Sequence, residues 1–188
     1  MQTFDLRDII ARSWRLWREA PLVHAGAALV LLVGTAASAG LATGPLLVGH
    51  IRLIDKQMAG HPVRLADLAA AGDKLLASLA TWILLAGGTA LASMVVVLPG
   101  VALALFWSYA LWFVALDRVG PLRALAASWR LCTHHLGPTL LVLVGVIAAN
   151  MVGTVLIVGL LASLPLALIV LTHSFRALSA PASPAEPA

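Results

Sequence analysis

The chain has 188 residues, 61% of them hydrophobic and 11% charged, with a mean hydropathy of +0.99. Soluble domains carry about 25% charged residues, so this composition excludes a water-soluble enzyme or binding module. Disorder needs low hydrophobicity and high charge, and is excluded by the same numbers. The expectation is a multispanning, all-α membrane protein.

The twelve basic and eight acidic residues leave three uncharged stretches, 20–51, 75–116 and 131–175. A helix crosses a hydrocarbon core in about 20 residues, so the second and third are each long enough for two crossings. Each has a breaker near its middle, Leu98-Pro99-Gly100 and Ser163-Leu164-Pro165. In the first stretch, 22–41 makes one span and Ala42-Thr43-Gly44-Pro45 is a turn signal. Its return segment carries Arg52, Asp55 and Lys56, whose three- and four-residue spacing permits pairing on one helix face. A re-entrant half-span is the rival reading there. The expected architecture is six transmembrane helices in three hairpins, with spans at about 22–41, 45–58, 76–98, 100–117, 138–158 and 160–176 in one domain over 1–178.

If all three hairpins start from one side, every Lys and Arg falls on that side and none on the opposite turns. The positive-inside rule then places both termini in the cytoplasm, for a bacterial inner-membrane protein. The net charge of +4 and pI near 10.2 report orientation and attraction to anionic lipid of the cytoplasmic leaflet. No basic domain is present to bind nucleic acid. Ala37-Ser38-Ala39 has the form of a signal-peptidase site, but Asp5, Asp8 and Glu19 and the helical periodicity upstream argue against cleavage. A single cysteine, Cys132, excludes an internal disulfide.

A charged amphipathic segment precedes each hairpin. In the first, Leu6, Ile9, Ile10, Trp14 and Trp17 line one face, with Asp8, Arg12, Arg15 and Glu19 opposite. Trp at the border with Arg opposite suits a helix lying among head groups. Residues 62–76 form a weaker version, and 121–135 a third with Leu122, Leu125, Trp129 and Cys132 on one face. Ser13-Trp14-Arg15-Leu16 recurs as Ser128-Trp129-Arg130-Leu131, each followed by a proline that opens a span. That points to an internal repeat of interfacial helix plus hairpin. Residues 179–188 are a Pro-rich tail expected to be disordered.

The order of these features is familiar. A Trp-containing basic entry helix precedes a hairpin with Gly44-Pro45 and Gly49. Leu98-Pro99-Gly100, Tyr109 and Asp117 bracket a span, a Ser128-Trp129 helix follows, and a last span holds Pro165 and ends in Phe175-Arg176-Ala177-Leu178. Over about residues 5–178 the chain resembles the membrane domain of glycerophosphoryl diester phosphodiesterases and the related YciC-like bacterial inner-membrane proteins. The resemblance implies an integral membrane protein without catalytic residues, because the soluble phosphodiesterase domain is absent from this sequence.

Chemistry-bearing residues are few. Of the eight carboxylates none falls inside an expected span; Asp117 comes closest and is read as a helix-end charge paired with Arg118 or Arg123. Cys132, His134 and His135 lie close in sequence, but adjacent histidines on a helix point about 100° apart and rarely share an ion. His24, His50 and His173 are expected at span boundaries. No catalytic residue, cofactor or metal site is expected. The candidate functional residues are Trp14, Arg15, Trp129 and Arg130 for lipid head groups. For helix packing they are Asn150, whose amide needs a partner in hydrocarbon, with Gly145, Ala149 and Gly153 at four-residue spacing around it. The leading expectation is a non-enzymatic scaffold that meets membrane lipids, a protein partner or a second copy of itself. The alternative is a small transporter or channel for a neutral or lipidic substrate.

Overall fold

Among the described residues of the computed structural model, every regular element is helical. The structure describes residues 5–95, 97–117, 119–155 and 157–180, without side-chain surroundings for 70, 71, 95, 97–99, 152–155, 157, 158 and 160. The helices are α1 (Leu6–Glu19), α2 (Pro21–Ala37), α3 (Thr43–Met58), α4 (Leu75–Val95), α5 (Val97–Phe106), α6 (Ala110–Leu116), α7 (Pro121–His134), α8 (Leu136–Val155) and α9 (Ile157–Ser179). A 3-10 segment, Leu65–Lys74, joins α3 to α4.

Three antiparallel hairpins follow from this order: α2 with α3, α4 with α5 and α6, and α8 with α9. The first reversal is closed by Ser38, whose hydroxyl donates to Gly34 O at 2.7 Å and accepts the Ala42 N–H at 2.9 Å. Gly40 there takes a φ of +89°, a conformation open to a residue without Cβ. Pro99 and Gly100 lie in the first turn of α5, and Pro165 lies inside α9. Proline removes one backbone donor but fits within a packed helix whose neighbours hold the bend.

α1 meets α2 at 93° and α7 meets α8 at 103°, so each amphipathic helix lies across the end of the hairpin it opens. Asp5 caps α1 by accepting the Arg7 N–H, while Pro21 and Pro121 occupy first-turn positions where no intrahelical donor is needed. The segment 62–76 departs from expectation. It is a 3-10 helix rather than an amphipathic α-helix, tied down by ion pairs to α3.

The core sits where α3, α6 and α9 meet. Val48, Ile51, Ile54, Tyr109, Val114 and Ile169 are fully buried there. Trp112 Nε1–H donates to Thr172 Oγ1 at 3.0 Å, joining α6 to α9, and Trp82 Nε1–H donates to Gly40 O at 2.9 Å, joining α4 to the first reversal. Close approach is set by glycine: a Cβ on Gly44 would stand 2.5 Å from Trp82 Cβ and 2.6 Å from Ser78 O.

Candidate functional site

Polar side chains tie the two elbow helices to the hairpins. Ser13 on α1 is buried and reaches His173 Nδ1 on α9 at 3.2 Å. That nitrogen also lies 3.1 Å from Ile169 O, and a carbonyl only accepts, so Nδ1 carries the proton. On the other side of α1, Gln57 donates to Leu16 O at 2.8 Å and accepts from His24 Nε2–H at 2.8 Å. One glutamine on α3 therefore locks α1 and α2 together. Behind His24 lies His50, with ring centroids 6.0 Å apart and both residues fully buried. His24 stands in the first turn of α2 and His50 midway along α3, and both are buried between these helices. No spacing rule pairs residues 33 positions apart, so the His24–Gln57 contact left no signal in the sequence.

The charges on α3 also behave differently from expectation. Arg52, Asp55 and Lys56 do not pair with one another. Arg52 binds Asp73 at 2.5 Å and donates to Ala115 O, Lys56 binds Asp67 at 2.8 Å, and Asp55 pairs with Arg176 at the end of α9. These carboxylates and the last turn of α9 are brought alongside by the tertiary fold, and their geometry outcompetes the weak same-helix pairing. Lys56, with the Arg64 backbone N–H, holds the Asp67 carboxyl below its usual value.

α7 occupies the equivalent place to α1 on the third hairpin. Its buried face is Ala124, Leu125, Ser128 and Cys132. Ser128 Oγ donates to Phe106 O at 2.8 Å and accepts Tyr109 N–H at 3.2 Å, filling the break between α5 and α6. Burial raises the Cys132 thiol above its usual value, opposed by its contact with the Ser108 hydroxyl. The repeated Ser-Trp-Arg-Leu motif thus plays one structural part twice: the serine is buried, and the Trp and Arg face outward.

The head-group candidates lie on these outward faces. Trp14 is 48% exposed and stacks on Trp17 at 5.3 Å, while Trp129 is 43% exposed and packs on Phe106 at 4.3 Å. Arg15 and Arg130 are exposed. The structure brings Trp14 onto α8 and α9, where with Leu6 and Ile10 it borders an apolar groove of about 240 Å³ that includes Gly145. A Cβ on Gly145 would meet no atom within 4 Å, so this glycine opens the groove and is not pressed against a neighbouring helix. Asn150 donates to Val146 O at 3.0 Å and accepts from Ser163 Oγ at 3.1 Å, a bond between α8 and α9. Gly153 lies on α8 where side-chain surroundings are not described, and Arg118 and residues 181–188 lie outside the described residues. Among the described residues no group of three or more His, Cys, Asp or Glu converges as a metal site.

Residues 65–187 match the model of a family described as a domain of unknown function, DUF7847. The chain belongs to this family. No curated protein and no solved structure matches it. The DUF7847 segment begins at the first residue of the 3-10 helix and takes in α4 to α9, so it contains the α7 elbow and two of the three hairpins.

Proposed function

We propose that this chain is an integral membrane protein of the bacterial inner membrane, with six crossings, both termini cytoplasmic, and a non-enzymatic role as a lipid- or partner-binding scaffold. The observation that carries the reading is the outer surface of the hairpins. Leu91, Met94 (84% exposed), Val101, Val144, Ile147 and Met151 all face outward, far from any charge in the sequence. Water does not tolerate so large an exposed apolar surface on a monomer, whereas acyl chains cover it without cost.

Two helical stretches, 65–94 and 161–179, are long and apolar enough to cross a bilayer alone. The bent pairs α1–α2 and α7–α8 add two more crossings if α1 and α7 lie in the interface and α2 and α8 descend from it. α3, with 16 residues, and α5 with α6, broken at Trp107–Tyr109, complete the count as short or interrupted crossings. Ser128 supplies the hydrogen bonds that an interrupted helix needs in hydrocarbon. This arrangement puts all twelve Lys and Arg on the cytoplasmic side. The resemblance to phosphodiesterase membrane domains and YciC-like proteins belongs to the same reading.

In this account the elbow helices meet the anionic cytoplasmic leaflet through Trp14, Arg15, Trp129 and Arg130. Nucleic acid has no part in it. A transport function is the second reading, favoured by the buried His24–His50 pair, whose His24 Nδ1 and both His50 nitrogens have no hydrogen-bond partner among the described residues. Native mass spectrometry of the protein released directly from its membrane separates the two. A retained protein partner or stoichiometric anionic lipid is the expected result. A bare homo-oligomer with no retained partner would overturn the scaffold reading and favour transport.

A further inference from the structure

The face of α7 turned away from the core repeats at helical spacing. Arg123, Ala127, Arg130 and His134 follow one another at three- and four-residue steps with Ala126 and Leu131 beside them, so the six share one stripe. All six line one cavity of about 660 Å³ between α7 and the last turn of α9. Arg123 and Arg130 stand two turns apart, about 10.5 Å along the axis. Only the two alanines lie between them on the stripe, leaving room for a ligand under both guanidinium groups. His134 and His135 close the end of the same cavity.

The charges in this cavity contrast with those nearby. Arg12, Arg52, Lys56 and Arg176 each sit on an aspartate. Among the described residues no carboxylate pairs with Arg123 or Arg130, and the side chains of His134 and His135 make no hydrogen bond there. Asp117 is the cavity's one carboxylate. The remaining wall is Phe113, Val119 and Leu178, with Ser179 as its one hydroxyl. On the flank of α7, Leu122 is 72% exposed and Trp129 is half exposed, so the cavity opens beside a strip of apolar surface.

From this we infer that the α7 cavity is a specific site for the phosphate of an anionic membrane lipid, one lipid per chain. Guanidinium forks match phosphate oxygens in bidentate fashion, and two of them with histidine donors suit one phosphodiester. The apolar wall and the exposed Leu122 and Trp129 favour a lipid over a soluble anion, because they receive the glycerol backbone and first methylenes. Asp117 accepts a hydrogen bond from a head-group hydroxyl, which selects phosphatidylglycerol over a bare phosphomonoester. This inference rests on the membrane reading and sharpens it from diffuse attraction to a stoichiometric site.

The test titrates the purified full chain in mild detergent with phosphatidylglycerol and counts bound lipid by native mass spectrometry. Wild type is expected to saturate first at one lipid per chain. Arg123→Gln with Arg130→Gln is expected to weaken that first site by about tenfold or more. Arg7→Gln with Arg18→Gln, two exposed arginines on α1, is expected to leave it intact. The Lys pair Arg123→Lys, Arg130→Lys keeps the charge and loses the fork, so its intermediate affinity guards against misfolding of the Gln pair. Equal loss from the α1 and α7 variants, or none from either, would overturn the site while leaving membrane insertion untouched. A first lipid displaced by millimolar inorganic phosphate as readily as by phosphatidylglycerol would identify a soluble-anion site and overturn the lipid assignment.

Discussion

Ser128 on α7 accepts the backbone N–H of Tyr109 at 3.2 Å, across the break where α5 gives way to α6. Its own proton goes to Phe106 O at 2.8 Å, so one hydroxyl answers both a donor and an acceptor left by the interrupted helix. Substituting Ser128→Val keeps the volume close and removes both bonds. Leaving two buried backbone groups unmet costs about 2–4 kcal/mol. A lowered unfolding midpoint in detergent is the expected result, and an unchanged midpoint would mean that water or a relaxed backbone fills the break.

Gln57 is the corresponding lock for the first elbow. Gln57→Leu strips the partner from Leu16 O and from His24 Nε2–H. We expect a destabilisation of about 1–3 kcal/mol, together with faster hydrogen exchange in α1 and α2 but not in α7. Uniform acceleration across the chain would show that the glutamine is a general core residue and not a local tie.

Two glycines on apolar helices should respond oppositely to a methyl group. Gly44→Ala drives a Cβ into Trp82 and the Ser78 carbonyl, and overpacking of this kind costs about 1–3 kcal/mol. Gly145→Ala meets open space and gains helix propensity, so it should be neutral or stabilising by up to about 1 kcal/mol. Thermal melts of the two variants side by side check this. Loss of stability at Gly145 alone would show that a helix or a second chain packs there.

Cys132 gives a pH prediction. Its thiol is raised above a usual value of 9.0 by burial, so the folded state favours the protonated form. The stabilisation is fully present below the unfolded pKa and is lost as pH rises through the folded one. Wild type should therefore lose stability above about pH 9 more steeply than Cys132→Ala, which lacks the group. Parallel pH profiles would contradict the assignment. In the same state the thiol should resist alkylation until the protein unfolds.

The hairpins were legible because hydrocarbon-length runs without charge and clusters of Arg at their ends are local properties of the sequence. The elbow helices were legible for the same reason: Leu6, Ile10, Trp14 and Trp17 mark one face by their spacing alone. What the sequence withheld was the identity of partners across hairpins. Asp55 finds Arg176, 121 residues away, and His24 finds Gln57. Spacing reports which residues share a face and is silent on what that face meets. Gly145 shows the converse: small residues at four-residue spacing read as a packing seam, and Gly145 and Ala149 line a groove. The 3-10 segment escaped because Leu65 and Leu68 imitate the start of an α-helical stripe. Its geometry is set by Asp67 and Asp73 reaching back to Lys56 and Arg52.

The most direct test of the account is a two-sided accessibility measurement on cells expressing the protein with Cys132→Ala as background. Single cysteines at Ala39 and at Ser179 are treated with a membrane-impermeant maleimide, before and after permeabilisation. Both positions are exposed on the protein surface. The account predicts that Ala39→Cys labels from outside in intact cells, while Ser179→Cys labels only once the membrane is opened. Labelling of both from the same side would contradict the hairpin topology and, with it, the placement of the elbow helices on the cytoplasmic leaflet.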